Sequence, residues 1–135
     1  MLLALRSVKL PEPDSMVRQL AVGRVAFAAV FLAAPVPGVR LLGTDTATAQ
    51  RVSWLTRMMA VRDGALGVGA LSAARSGHPR PWLIAGAVSD AVDAVVIAGA
   101  LNSGRVKGIV PTLVAPGALL VAATGLIGAR RARRG

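Results

Sequence analysis

The 135-residue chain contains no cysteine, a single histidine, and aromatic residues amount to only 3% of it. Without cysteine there can be no disulfide, thiolate metal site or cysteine nucleophile. His78 stands in Ser76-Gly77-His78-Pro79-Arg80, a turn-like stretch, and cannot build a histidine cluster alone. Lysine is also scarce: two of the sixteen basic residues are Lys and the rest Arg. Together with the Ala and Gly content, that bias points to a GC-rich bacterial genome. The scarcity of aromatics bears on the net charge of +10, which invites a nucleic-acid reading. No stacking rings are interleaved with the basic residues, and most of those residues flank apolar runs. Such placement anchors and orients a membrane protein, so no nucleic-acid partner is expected.

What the chain has in abundance is small and aliphatic: 54% hydrophobic residues against 16% charged, with a mean hydropathy of +0.61. In a soluble domain, so much Ala, Val, Leu and Gly would be odd. Among membrane helices it is ordinary, because small residues let helix backbones approach closely in lipid. The length suits one compact domain, residues 1–135. Its opening, MLLALRSVKLPEPDS, is read as a short segment over 1–15 and not as a signal peptide. Arg6 and Lys9 interrupt its apolar run, and no small-residue cleavage site precedes Pro11–Pro13.

Four apolar segments follow, separated by Pro, Gly and charge. The first covers about 16–34, with Asp14 or Ser15 as its N-cap and Pro35-Val36-Pro37-Gly38 as its stop. The second covers about 52–74 and ends at Arg75-Ser76-Gly77-His78-Pro79. The third covers about 81–102, opening on Pro81, a good first-turn residue, and closing at Asn102-Ser103-Gly104. The fourth covers about 108–129 and is followed by the basic tail 130–135. Each approaches the roughly 20 residues needed to cross a hydrocarbon core. The expected fold class is all-α: a polytopic membrane protein with four transmembrane helices in a compact bundle.

Four crossings put both termini and the loop between the second and third spans on one side. That side carries Arg6, Lys9, Arg18, Arg75, Arg80, Arg130, Arg131, Arg133 and Arg134, nine basic residues against the four of Arg40, Arg51, Arg105 and Lys107. The positive-inside rule then predicts both termini in the cytoplasm of a bacterial inner (plasma) membrane.

Six ionisable residues lie inside the spans: Arg24, Arg57, Arg62, Asp63, Asp90 and Asp93. Each costs about 2.5–3.5 kcal/mol at a helix centre. The second span carries three, on the order of 8–10 kcal/mol, and its Val, Leu and Met residues return about half of that. Alone it inserts poorly; it needs partners. Asp90 and Asp93, three residues apart, share one side of the third span near the depth of Arg62 and Asp63. Arg24 falls near the middle of the first, so three helices bring charge of balancing sign to one level. Arg57 lies about 7.5 Å further out along its helix, and either joins this cluster or snorkels to the interface. Gly86, Asp90, Ala94 and Ala98, and Ala65, Gly69 and Ala73, form stripes suited to close packing. The last span is uncharged, and a kink is expected at Pro116-Gly117.

Arg24, Pro35, Arg57-Met-Met-Ala-Val-Arg62-Asp63 with Gly67, and Asp90-Ala-Val-Asp93 together resemble a family of uncharacterised small four-helix bacterial integral membrane proteins, domains of unknown function with R-x-x-x-x-R-D-x-x-L-G and D-x-x-D signatures. The resemblance runs from about Val17 to Leu101 and implies a fold without an activity.

Two classes of function remain. In the first, the charged cluster is a buried salt-bridge network fixing helix register in a non-enzymatic structural or assembly subunit. In the second, it lines a polar site for a lipid, a quinone-like molecule or a proton passing through Asp90 and Asp93. No cofactor or metal is expected. Gly64-Ala-Leu-Gly67-Val-Gly69 has the wrong spacing and context for a nucleotide loop. Ser89 has no neighbouring base to make it a nucleophile. Beyond the bilayer itself, the expected partners are anionic lipid headgroups at the basic tail, and further copies or a larger membrane complex.

Overall fold

The computed structural model describes residues 13–105, 107 and 109–131. Most of the opening segment and residues 132–135 of the basic tail lie outside the described residues. Among the described residues five helices occur in the order α1 (Pro13–Ala33), α2 (Pro35–Arg40), α3 (Thr46–Arg75), α4 (Arg80–Asn102) and α5 (Ile109–Arg131). The chain is all-helical over the described residues, and three of the helices are long and apolar enough to cross a membrane: α1, α4 and α5. The fourth long helix, α3, does not reach that level of hydropathy. Arg51, Arg57, Arg62, Asp63 and Arg75 dilute its apolar content.

The helix ends follow local chemistry. Two close in Schellman motifs, each with a glycine in the left-handed region that only Gly adopts cheaply. After α3, Gly77 (φ 76°) donates to the carbonyl of Ala74 at 3.3 Å and His78 to that of Ala73 at 2.9 Å. After α4, Gly104 (φ 69°) donates to Leu101 and Arg105 to Ala100, both at 3.0 Å. These stops agree with the sequence. The starts differ more. Helix α1 begins at Pro13, so Asp14 and Ser15 lie inside its first turn and neither is the expected cap. The Pro35–Gly38 stop is itself helical: the chain breaks at Ala34 and resumes as α2. Helix α3 starts six residues before Val52, because Asp45 caps it by accepting from the Thr48 amide at 3.0 Å and the Thr48 hydroxyl at 2.6 Å. Helix α5 runs through Pro116 without interruption.

Packing pairs α1 with α3 and α4 with α5, while α3 also touches α4 and α1 touches α5. Neighbours run antiparallel. Gly67 of α3 meets Ala21 and Gly64 meets Ala28; Gly125 of α5 meets Ala87 and Gly128 meets Leu83. At one end, Gly43 and the carbonyl of Lys107 bring the α2–α3 and α4–α5 loops together. At the other, Val17, Leu83 and Ala129 form a small apolar core.

The interior is built mainly of alanine, including Ala21, Ala60, Ala70, Ala87, Ala94 and Ala122, while large aliphatic residues point outward. Val95 and Leu120 are each 70% exposed. A soluble protein would invert this distribution; lipid as the surrounding medium rewards it. The small-residue stripes are only partly interfaces. Gly86 and Ala94 are buried, but Ala98 and Ala65 are exposed. The buried stripe of α3 is instead Ala49, Ala60, Asp63, Gly67 and Ala70.

Candidate functional site

Arg24 reaches from the middle of α1 into the space shared with α3 and α4. Its Nη1 donates to Asp63 Oδ1 at 3.2 Å. Its Nη2 donates to Asp90 Oδ2 at 2.5 Å and to the Gly86 carbonyl at 2.9 Å. Gly86 is the residue that permits this reach, since a Cβ there would lie 2.9 Å from Arg24 Nη2. The sequence shows Gly86 only as a small residue suited to packing. Its role as carbonyl acceptor and as room for a guanidinium depends on a helix that is distant in the chain.

Arg62 forms the second half. Its Nη2 donates to Asp93 Oδ2 at 2.7 Å, its Nη1 to Asp93 Oδ1 at 3.4 Å, and its Nη2 also approaches Asp63 Oδ1 at 3.4 Å. The result is a continuous chain of alternating charge across three helices: Asp90, Arg24, Asp63, Arg62, Asp93. The side chains of Arg24, Asp63 and Asp90 are largely buried, whereas that of Arg62 is 38% exposed and marks the open edge. Asp90 and Asp93 do not act as one paired site. Three residues on a helix differ by about 60° in direction, and that is enough to send Asp90 to α1 and Asp93 to α3.

Five of the six charged residues singled out in the sequence thus come together. The sixth, Arg57, is exposed on α3 and makes no ion pair among the described residues. With two guanidiniums and three carboxylates, the chain of pairs carries one excess negative charge. Arg62 Nε and Ser89 Oγ are buried without a hydrogen-bond partner among the described residues. No group of three metal-ligating side chains occurs among those residues either.

A cavity of about 20 Å³ borders the network at its Arg24–Asp90 end, lined by residues of α1, α3, α4 and α5 that include Arg24, Trp82, Asp90 and Gly125. A single water requires at least about 10–15 Å³ measured this way. The space suits one water, far short of the few hundred Å³ of a site for an organic ligand.

No family model, curated protein or solved structure matches the chain.

Proposed function

We propose that the chain is a small bacterial integral membrane protein, of the four-helix kind its signatures resemble, that acts as a non-enzymatic structural or assembly subunit. In this reading α3 crosses the bilayer with α1, α4 and α5, and both termini lie in the cytoplasm. The antiparallel order supports four crossings: α1 and α4 run in the same direction, so the chain returns between them through α3. The nine-to-four bias of basic residues supports the orientation.

The observation that carries the structural role is the alternating network Asp90–Arg24–Asp63–Arg62–Asp93. Each charge in it has a partner of opposite sign, and the adjoining cavity has little room for anything else. Such a network lets α3 sit in lipid despite its composition and sets the rotation of three helices against one another. Its test is a collective replacement. Exchanging all five residues for apolar ones of similar volume removes every charge and leaves no orphan, a change that is often neutral or stabilising for buried ion networks. A structural network predicts that this variant folds and complements a strain lacking the protein. Normal folding with failed complementation would instead assign the charges to a ligand or a proton.

A further inference from the structure

The end of the bundle that holds the Val17–Leu83–Ala129 core carries charge that the ion network does not use. Among the described residues, Arg18, Arg75, Arg80, Arg130 and Arg131 gather there against one acid, Asp14. None of these arginines enters an ion pair among the described residues.

Packing brings two of them together. Leu83 of α4 meets Gly128 of α5, its Cδ1 lying 3.5 Å from where a Cβ of that glycine would stand. Arg80 comes three residues before Leu83, and Arg131 three after Gly128. Because α4 and α5 run antiparallel, both steps lead about 4.5 Å toward the same end, and residues three apart share a helix face. The two arginine positions therefore adjoin, one turn beyond the contact. Met16, in the first turn of α1, closes a third side with its methyl group on Gly128.

Arg80 also has the wrong sign for its place. It is the first residue of α4, where the helix dipole disfavours a cation, and no side chain caps that end. Two arginines beside an uncapped helix start call for an anion. A phosphate ester fits, because guanidinium groups bond its oxygens two at a time and the amides of a helix start face negative charge. The level of the site decides which phosphate. Arg80 opens one apolar span, Arg80–Asn102, and Arg131 closes another, Thr112–Arg131. Both stand where hydrocarbon gives way to lipid headgroups.

We propose that Arg80 and Arg131 hold the headgroup phosphate of an anionic phospholipid between the start of α4 and the end of α5. The site rests on the membrane-spanning reading above, though not on which side the termini occupy.

The chain has two tryptophans, so Trp54→Phe leaves Trp82 as its single indole, 40% exposed and two residues from Arg80. In vesicles mixing phosphatidylglycerol with phosphatidylcholine, one lipid or the other is brominated on its acyl chains near the headgroup. Quenching of Trp82 then measures which lipid adjoins it. Phosphatidylglycerol should be preferred at least about fivefold, and Arg80→Gln/Arg131→Gln should lower the preference below about twofold. Arg18→Gln/Arg75→Gln, which removes the same charge from the same end, should leave most of it. An equal loss in the two double variants would overturn the site. So would displacement of phosphatidylglycerol by inorganic phosphate beyond that by sodium chloride of equal ionic strength, which would assign the arginines to a soluble phosphate. Quenching by neither lipid defeats the spanning reading as well, whereas quenching by both without preference defeats the lipid site alone.

Discussion

Arg24→Met is the most informative single perturbation, because among the described residues Arg24 alone ties α1 to both α3 and α4 through charge. It removes bonds to Asp63, Asp90 and the Gly86 carbonyl. Asp63 keeps Arg62 as a partner, but Asp90 is left as an unpaired, largely buried carboxylate. Breaking a buried pair in this way costs about 3–5 kcal/mol. Against a total stability of about 5–15 kcal/mol, the single variant should be severely destabilised. Asp90→Leu should cost less, since Arg24 retains Asp63. The double variant Arg24→Met/Asp90→Leu leaves no orphan charge, and its loss should fall below the sum of the singles by at least about 1 kcal/mol. Equilibrium unfolding in mixed micelles, titrated with a denaturing detergent, measures all three. Trp82 reports the transition, because it packs on Gly69 where α3 and α4 meet. As a control, Arg24→Met combined with Arg57→Gln should be additive to within about 0.5 kcal/mol. Additivity of Arg24→Met and Asp90→Leu would refute the network as an energetic unit.

Two glycines, each inside a long helix, should respond oppositely. Gly67→Ala places a methyl 2.7 Å from the Ala21 carbonyl oxygen and 2.8 Å from Val25 Cγ2, so overpacking between α1 and α3 should cost about 1–3 kcal/mol in the same unfolding assay. Gly23→Ala meets nothing within 4 Å and should stabilise α1 by about 0.5–1 kcal/mol. Outside the spans, hydrogen bonds from the Thr48 side chain and then its backbone hold the Asp45 carboxyl below its ordinary value of 3.8. A lowered folded-state value means that the cap is fully effective above pH 3.8 and is lost as pH falls through the lower folded value. Protection of the Thr48 amide, taken as its exchange relative to the intrinsic rate at each pH, should therefore fall on acidification in the native chain, and not in Asp45→Asn, where an uncharged cap persists. Finally, a reporter fused after Gly135 should read cytoplasmic and one inserted near Thr46 external; the reverse at both sites would overturn the proposed orientation.

Much of this architecture is legible from local chemistry. Gly77 and Gly104 end their helices because only glycine takes the left-handed turn cheaply there, and Pro81 fits the first turn of α4, which starts at Arg80, because its missing amide costs nothing there. Asp45 was equally readable as a cap, three residues before Thr48, but it precedes the apolar run by several polar residues and so falls outside a reading led by hydropathy. The depths of Arg24, Arg62, Asp63, Asp90 and Asp93 follow from counting residues along each helix at a fixed rise.

What counting along a helix does not determine is how far that helix is turned about its own axis relative to the next. Periodicity relates Asp90 to Asp93, yet only the packed helices decide that the first turns to Arg24 and the second to Arg62. The same rotation makes Gly86 a receptacle for a guanidinium and leaves Ala65 and Ala98 on the outside. It also sets Arg57 apart from charges only a turn and a half away. The sequence alone determined the helical class, the glycine stops of α3 and α4 and the level of each charge along its helix, because these are properties of one segment and its neighbours along the chain. The tertiary structure decided the pairings, because an ion pair across helices depends on a rotation that the small, interchangeable alanines of the interior leave open until the charges themselves select it.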